Sequence, residues 1–226
     1  MFGGQPGGMT ETPHSAQVFD EWDERYTAFL DRLPARRPNP VVIDEAAGLP
    51  AGTALDIGCG LGADAVWLAG RGWQVTALDV SQVALEQAAA AAAAAGVHVQ
   101  WLRNRLEDME IPAEGFDLVT AHYPALLRTP DGAAGTALLS AVAPGGTLLV
   151  VHHADIDVEL AKSHGFDPAM YLLHDDVRAL LDDRWEVRVE RGRRRDVPAG
   201  ADGQHTHDDI IVARLLSPEG RMSDRG

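Results

Sequence analysis

Residues 55–69 read LDIGCGLGADAVWLA, an apolar strand-like run that ends in Gly58-Cys59-Gly60-Leu61-Gly62 and passes directly into helix-favouring residues. A turn so rich in glycine brings backbone N–H groups against a ligand at the start of a helix. Gly58, Gly60 and Ala63 satisfy the loose dinucleotide spacing G-x-G-x-x-G/A. Asp56, two residues ahead of the first glycine, argues against a dinucleotide. A carboxylate within ~4–6 Å of a diphosphate would cost on the order of a kcal/mol or more. A ligand with a cationic end reverses the sign of that interaction.

Outward from this turn the sequence alternates between strand and helix signals. TALDIG (53–58) is a buried strand, and GADAVWLAGRG is a helix closed by Gly70 or Gly72. WQVTALDV (73–80) is a second strand, followed by a helix with Ser81 as its N-cap and Gly96 as its stop. The alanines from Ala88 to Ala95 read as a helix former, not a functional tract. VHVQWLR (97–103), FDLVTAHY (116–123) and GGTLLVVHH (145–153) are further strands, with a helix at GAAGTALLSAVA between the last two. HDDVRALLD (174–182) is a helix, and WEVRVERGR and HDDIIVARLL are the last two strands. The run 154–173 has no clear period.

Strand–helix alternation implies parallel strands with right-handed crossovers. The last two strands lack an intervening helix and are expected as an antiparallel edge hairpin. The expected fold is α/β: a doubly wound, mostly parallel seven-stranded Rossmann-like sheet with an antiparallel last strand. Residues 1–13 and 217–226 are expected to be disordered, leaving one domain at 14–216. Within it, 14–40 is a leading helix and a proline-broken loop; Val18, Trp22, Tyr26, Phe29 and Leu30 share one helical stripe.

Composition bounds the function. A net charge of −15 repels phosphate backbones, so no nucleic-acid partner is expected. The one basic run, RGRRR at 191–195, suits a solvated strand edge. The sole cysteine fits a reducing cytoplasm. There is no signal-peptide pattern at the start and no apolar run near the ~20 residues of a membrane span. A monomer or homodimer acting on a small molecule is expected.

LDIGCGLG, then VTALDVS, then FDLVTAHY resembles the class I S-adenosylmethionine-dependent methyltransferases over roughly residues 50–155. S-adenosylmethionine brings an ammonium and a sulfonium, the cationic groups that Asp56 favours. The opening FDEWDERY…RPNP and the late HTHDDIIVAR are similar to a bacterial branch near the tellurite-resistance and thiopurine S-methyltransferase proteins. The resemblance implies S-adenosyl-L-methionine as cofactor, with Asp56, Gly58, Cys59 and Gly60 at its methionine end. Asp79 would hold the ribose hydroxyls and Val80 the adenine, with Leu106 and Glu107 beside it and Ala121 at the end of the fourth strand. Arg105 stands where relatives commonly carry an acid. Trp22 would cover the cofactor or, alternatively, serve as the apolar anchor of the leading helix. Cys59 packs as a small apolar residue and is not a nucleophile.

The second half is rich in histidine. His122, His152 and His153 end strands on the cofactor's side of the sheet, and His207 begins the antiparallel strand on the same rim. His152 and His122 are the candidate proton acceptors; Tyr123, His153, His207 and Arg37 are candidate substrate contacts. HH and HTHD carry imidazole and carboxylate, but no metal is assigned to them. A thiol acceptor needs little activation, so the expected reaction is S-methylation of a low-mass thiol, mycothiol in an actinobacterial host. Tellurite or selenite methylation, natural-product O-methylation and non-catalytic cofactor binding are the alternatives. A nicotinamide oxidoreductase is a further one, which would require Asp56 beside a pyrophosphate.

Overall fold

The computed structural model describes residues 13–29, 37–163, 165–195 and 206–217. The ends expected to be disordered lie outside these residues, apart from Pro13 and Ser217, as do Leu30 and His205. The helices are α1 (Pro13–Phe29), α2 (Pro40–Ala46), α3 (Ala63–Ala69), α4 (Gln82–Ala95), α5 (Ala133–Ser140), α6 (Val158–Ser163) and α7 (His174–Leu180). The strands are β1 (Thr53–Ile57), β2 (Gln74–Asp79), β3 (Gln100–Arg103), β4 (Phe116–His122), β5 (Val142–His153), β6 (Trp185–Arg194) and β7 (His207–Leu215).

They form one seven-stranded sheet in the order β3-β2-β1-β4-β5-β7-β6. β1–β2, β2–β3, β1–β4 and β4–β5 pair in parallel, whereas β7 runs antiparallel to both β5 and β6. The antiparallel last strand is therefore as expected, with β7 inserted and β6 left at the edge.

Side-chain alternation along each strand divides the core in two. Leu55, Ile57, Val119, Leu148, Val150 and Ile211 pack with α5 and α7 residues such as Leu138 and Val177. Ala54, Leu118, Leu149, Val151 and Ile210 pack with Val41 and Val42 of α2 and Ala65 and Leu68 of α3. A sheet apolar on both faces needs helices on both.

Local chemistry explains the boundaries. Ser81 caps α4 by accepting from Ala84 N (3.1 Å), and Gly96 closes it with φ +67°. The alanine run has a packing use: Ala88 and Ala92 are buried, and a Cβ on Gly62 would lie 2.7 Å from Ala88 Cβ. α2 was not legible behind its prolines. Pro40 stands at its first position, where no N–H is needed, and Asn39 caps it by accepting from Val41 N (2.9 Å). The run 154–173 contains α6 and a single 3-10 turn at Pro168–Met170. RGRRR falls on and just beyond the edge strand as expected. Three of its four arginines are nonetheless paired: Arg191 with Asp209 and Asp175, Arg193 with Asp44, and Arg195 with Asp208. Among the described residues no helix is long and apolar enough to cross a membrane.

Candidate active site at the carboxyl rim of the sheet

A cavity of about 280 Å³ opens where β1, β2 and β4 end. This is the switch point in strand order, the usual ligand crevice of an open α/β sheet. Its floor is Ile57, Gly58, Leu78, Asp79 and Val80, and one wall is Asn104 to Glu107. The other wall is the run His122 to Leu127, and Val18, Trp22 and Tyr26 of α1 close the top.

The glycine turn is built for close approach. Gly58, Gly60 and Gly62 all have positive φ, between +52° and +76°. Nothing lies within 4 Å of where a Cβ on Gly58 would stand, whereas at Gly60 it would lie 2.8 Å from Tyr26 Oη. Asp79 holds the turn in shape: its carboxylate accepts from Gly60 N (2.8 Å) and from Ser81 N (2.9 Å). Burial pushes the Asp79 carboxyl up, and these N–H groups pull it part of the way back. Each oxygen keeps acceptor capacity beyond its backbone partner.

α1 is fastened over the cavity by Asp23. That carboxylate accepts from Ser81 Oγ (2.6 Å), Val83 N (3.1 Å) and Arg103 Nη2 (2.9 Å), joining α1 to the head of α4 and the end of β3.

The polar centre lies on the α3 face of the sheet. Asp56 is buried; Thr120 Oγ1 donates to its Oδ1 (2.9 Å), and its Oδ2 has no hydrogen-bond partner. Burial, then the neighbouring Asp64 carboxylate, raises Asp56 to about 7. Asp64, in the first turn of α3, meets His122 Nδ1 through Oδ2 at 2.6 Å and accepts from Asn39 N through Oδ1 at 2.6 Å. The His122 side chain is only 6 % exposed, and its Nε2 has no partner. Burial alone would lower the histidine's pKa, but Asp64, with Asp56 and Asp208 behind it, outweighs burial and raises it.

Behind His122, Tyr123 has φ +52°, a conformation rare for a bulky residue. It is held there by its hydroxyl on Asp208 (2.8 Å) and by stacking on His153 at 4.1 Å between ring centres. Arg195 lies over the same ring and 3.5 Å from Asp208.

The sequence-based site divides accordingly. Trp22, Gly58, Asp79, Val80, Leu106, Glu107, His122 and Tyr123 line the cavity. Asp56, Cys59, Gly60 and Ala121 lie in or beneath the turn and strand ends that form its floor. Burial and the carboxylates of Asp56 and Asp79 push the Cys59 thiol up, consistent with an inert thiol. Glu107 is paired with Arg105.

His152 is a correction. Its Nε2 is 3.1 Å from Leu172 O on the opposite sheet face, and burial lowers it to about 4. β4–β5 register sets His122 beside Val151, so His152 points the other way. His153 is occupied with Tyr123 and Asp208, and His207 pairs with Asp155. Arg37 is exposed and outside the cavity lining. The rim therefore gathers one histidine to the cavity, not four. Among the described residues no group of three or more His, Cys, Asp or Glu is arranged to hold a metal ion.

Sequence reasoning missed Asp64, Asn104 and the wall Pro124 to Leu127. Asp64 carried one signal: an acid in the first helical turn after the glycines, on the helix that must face the strand ends.

Residues 54–146 match the family described as "Methyltransferase domain". The chain is 37 % identical over 120 residues to a ubiquinone biosynthesis O-methyltransferase of Hahella chejuensis, covering 51 % of this chain and 50 % of that protein. It is 39 % identical over 108 residues to an uncharacterized methyltransferase of Mycobacterium tuberculosis, covering 46 % and 53 %. The chain thus spans about half the length of such curated relatives. Among solved structures, one from work on the conversion of a disulfide bond into a thioacetal group during echinomycin biosynthesis superposes with a TM-score of 0.68 at 26 % identity, over 92 % of this chain and 96 % of that one. The 1,6-didemethyltoxoflavin N1-methyltransferase of Burkholderia thailandensis, bound to its substrate and S-adenosylhomocysteine, shares the fold with a TM-score of 0.61 at 18 % identity, over 94 % of each chain. The matched residues carry the glycine turn, the Asp79 strand end and the His122 strand end, and over them the chain is similar to S-adenosylmethionine-dependent methyltransferases.

Proposed function

We propose that this chain methylates a hydroxyl group of a small-molecule acceptor, with His122 taking the proton that the acceptor gives up. The observation that carries it is His122 Nε2, buried at the cavity wall without a partner while Nδ1 rests on Asp64. A hydroxyl is a poor nucleophile until a positioned base takes its proton.

The residues present suit S-adenosylmethionine. The space over Gly58 leaves its backbone open to the ligand. Asp56 Oδ2 is buried without a hydrogen-bond partner, and the Asp56, Asp64 and Asp79 carboxyls around the turn suit an ammonium and a sulfonium, which would favour Asp56 in its ionised form. The Gly58–Gly62 backbone would hold the methionine end, Asp79 the ribose hydroxyls, and Val80 and Leu106 the adenine. Trp22 and Tyr26 would exclude water from above. When bound, the cofactor supplies a methyl group on a cationic sulfur. His122 orients the acceptor oxygen by hydrogen bonding and holds its proton as imidazolium beside Asp64. The apolar wall of Pro124, Leu126 and Leu127 suits an acceptor with a hydrocarbon or aromatic body.

The O-methyltransferase named among the sequence relatives supports a hydroxyl acceptor. A sulfur acceptor is the second reading, favoured by the likeness to the structure from the disulfide-to-thioacetal conversion. One experiment separates the two: S-adenosylhomocysteine release with a panel of phenols, aliphatic alcohols, thiols, tellurite and selenite. Turnover with hydroxyl acceptors is expected, and His122→Ala should lower kcat by about 10²–10⁴ while cofactor affinity changes less than about threefold. Turnover of thiols alone, surviving His122→Ala above the thiol pKa, would establish the sulfur reading. Tight cofactor binding with no turnover of any acceptor would make the chain a cofactor-binding protein.

A further inference from the structure

We infer that Asp64 is a positioning residue: it fixes His122, whose side chain lines the cavity, in the tautomer that carries its proton on Nδ1 and leaves a bare lone pair on Nε2. This rests on the proposed role of His122 and adds the device that would make it a base.

A neutral imidazole has one donor nitrogen and one acceptor nitrogen, and the partner of one decides the state of the other. An ionised carboxylate only accepts. With Asp64 Oδ2 at 2.6 Å, Nδ1 must therefore be the donor and Nε2 the acceptor. No competing partner reaches Nε2, and the ring is too buried for water to choose the tautomer.

Asp64 is itself held. Its second oxygen accepts from Asn39 N, and Asn39 both caps α2 and reaches Tyr123 Oη at 3.4 Å. The carboxylate thus has one oxygen for the backbone and one for the histidine, and it sits on a helix while the ring sits on a strand end. Rigid mounting of both partners is what orienting a base requires.

Among the described residues, the charged groups that act most strongly on His122 are Asp64 of α3, Asp56 of β1 and Asp208 of β7. Thr120, on the same strand, donates to Asp56 and leaves the ring to Asp64. A proton arriving on Nε2 would make an imidazolium among these carboxylates, the arrangement that stabilises it.

The inference predicts how an isosteric change acts. In Asp64→Asn the side-chain oxygen can still accept from Asn39 N, which turns the amide NH₂ toward Nδ1. Nδ1 then becomes the acceptor, and the proton moves to Nε2, where it blocks the base. In serine proteases the corresponding Asp→Asn change preserves geometry and costs about 10⁴-fold through the wrong tautomer.

The test begins with the parent chain without cofactor or acceptor. Long-range proton–nitrogen NMR of ¹⁵N-histidine-labelled protein, assigned with His122→Gln, reads the neutral ring at pH 9. The expected result is the Nδ1–H form in the parent and the Nε2–H form in Asp64→Asn. With an acceptor found in the panel, Asp64→Asn should lower kcat at least about 10²-fold with KM changed less than about threefold. The acid limb of the pH–rate profile should also move to lower pH, because the charge that raised His122 is gone. An Nε2–H ring in the parent, or an unchanged tautomer in Asp64→Asn, would overturn the inference, and the parent measurement decides even if the variant fails to fold. An Nδ1–H parent combined with a fully active His122→Ala would leave the dyad standing and remove the base role instead.

Discussion

Asp79 shows how a residue that lines the cavity can be committed to the fold as well. Its two oxygens already hold Gly60 N and Ser81 N, so the glycine turn and the head of α4 depend on it before any ribose arrives. Asp79→Ala should therefore weaken the ligand-free protein by about 1–3 kcal/mol through two unsatisfied buried N–H groups. It should also lower affinity for S-adenosylhomocysteine. Urea denaturation without ligand checks the first effect, and an unchanged midpoint would mean the turn stands without the carboxylate. Asp79 was legible because a strand-ending acid in this fold has one place to go. Asp64 was not, because its meaning depends on which way the first turn of α3 faces, a tertiary fact. His152 was misassigned for a simpler reason: His152 and His153 are adjacent, so only one of the pair can share a face with His122. Register decides which, and register between β4 and β5 is not written in either strand alone.

At the scale of elements, the alternation of strands and helices carried the fold, because a doubly covered parallel sheet imposes long apolar strands and capped helices. The amphipathic stripe of α1 was equally plain: Val18, Trp22 and Tyr26, spaced by four, all reach the cavity. α6 was not, since its six residues bury nothing. What the stripe could not reveal is how α1 is fastened. Asp23 lies on the same helix and accepts three hydrogen bonds from α4 and β3. Arg103, which supplies one of them, also lies 5.2 Å from the Phe19 ring centre. Asp23→Ala should loosen α1 while leaving the sheet intact. Trypsin should then cut faster after Arg25, and S-adenosylhomocysteine should dissociate several-fold faster, with the unfolding free energy of the domain changed by less than about 1 kcal/mol. Equal cleavage and dissociation rates in variant and parent would mean that α1 is held by its apolar stripe alone.

Across the whole molecule, two buried groups pull stability in opposite directions with pH. Asp56 is raised to about 7, so its protonated form is the one the fold favours. Its contribution is fully present below the ordinary carboxylate pKa near ~4 and is lost as pH rises through 7. His152 is lowered to about 4, so the fold favours its neutral form. That contribution is present above the ordinary value near ~6.5 and is lost as pH falls toward 4. Between these limits each slope approaches about 1.4 kcal/mol per pH unit and the two oppose each other. Asp56→Asn keeps the acceptor for Thr120, removes the first and lessens the carboxylate field that raises His122. Measured by urea denaturation without ligand, the variant should therefore gain on the parent by at least about 1 kcal/mol between pH 5 and pH 8. A pH-independent difference would show that Asp56 ionises as freely in the fold as outside it. The same burial gives the acid its use. A cation placed against Asp56 lowers the penalty that the empty protein carries, so S-adenosylmethionine should release a proton on binding and bind more tightly at pH 8 than at pH 6. Calorimetry in two buffers of different ionisation enthalpy reads that proton directly. In Asp56→Asn the proton should vanish and the stabilisation by saturating S-adenosylmethionine should shrink. The variant would then be the more stable protein empty and the weaker binder, as expected if the acid is retained for a positive ligand and against the interests of the fold.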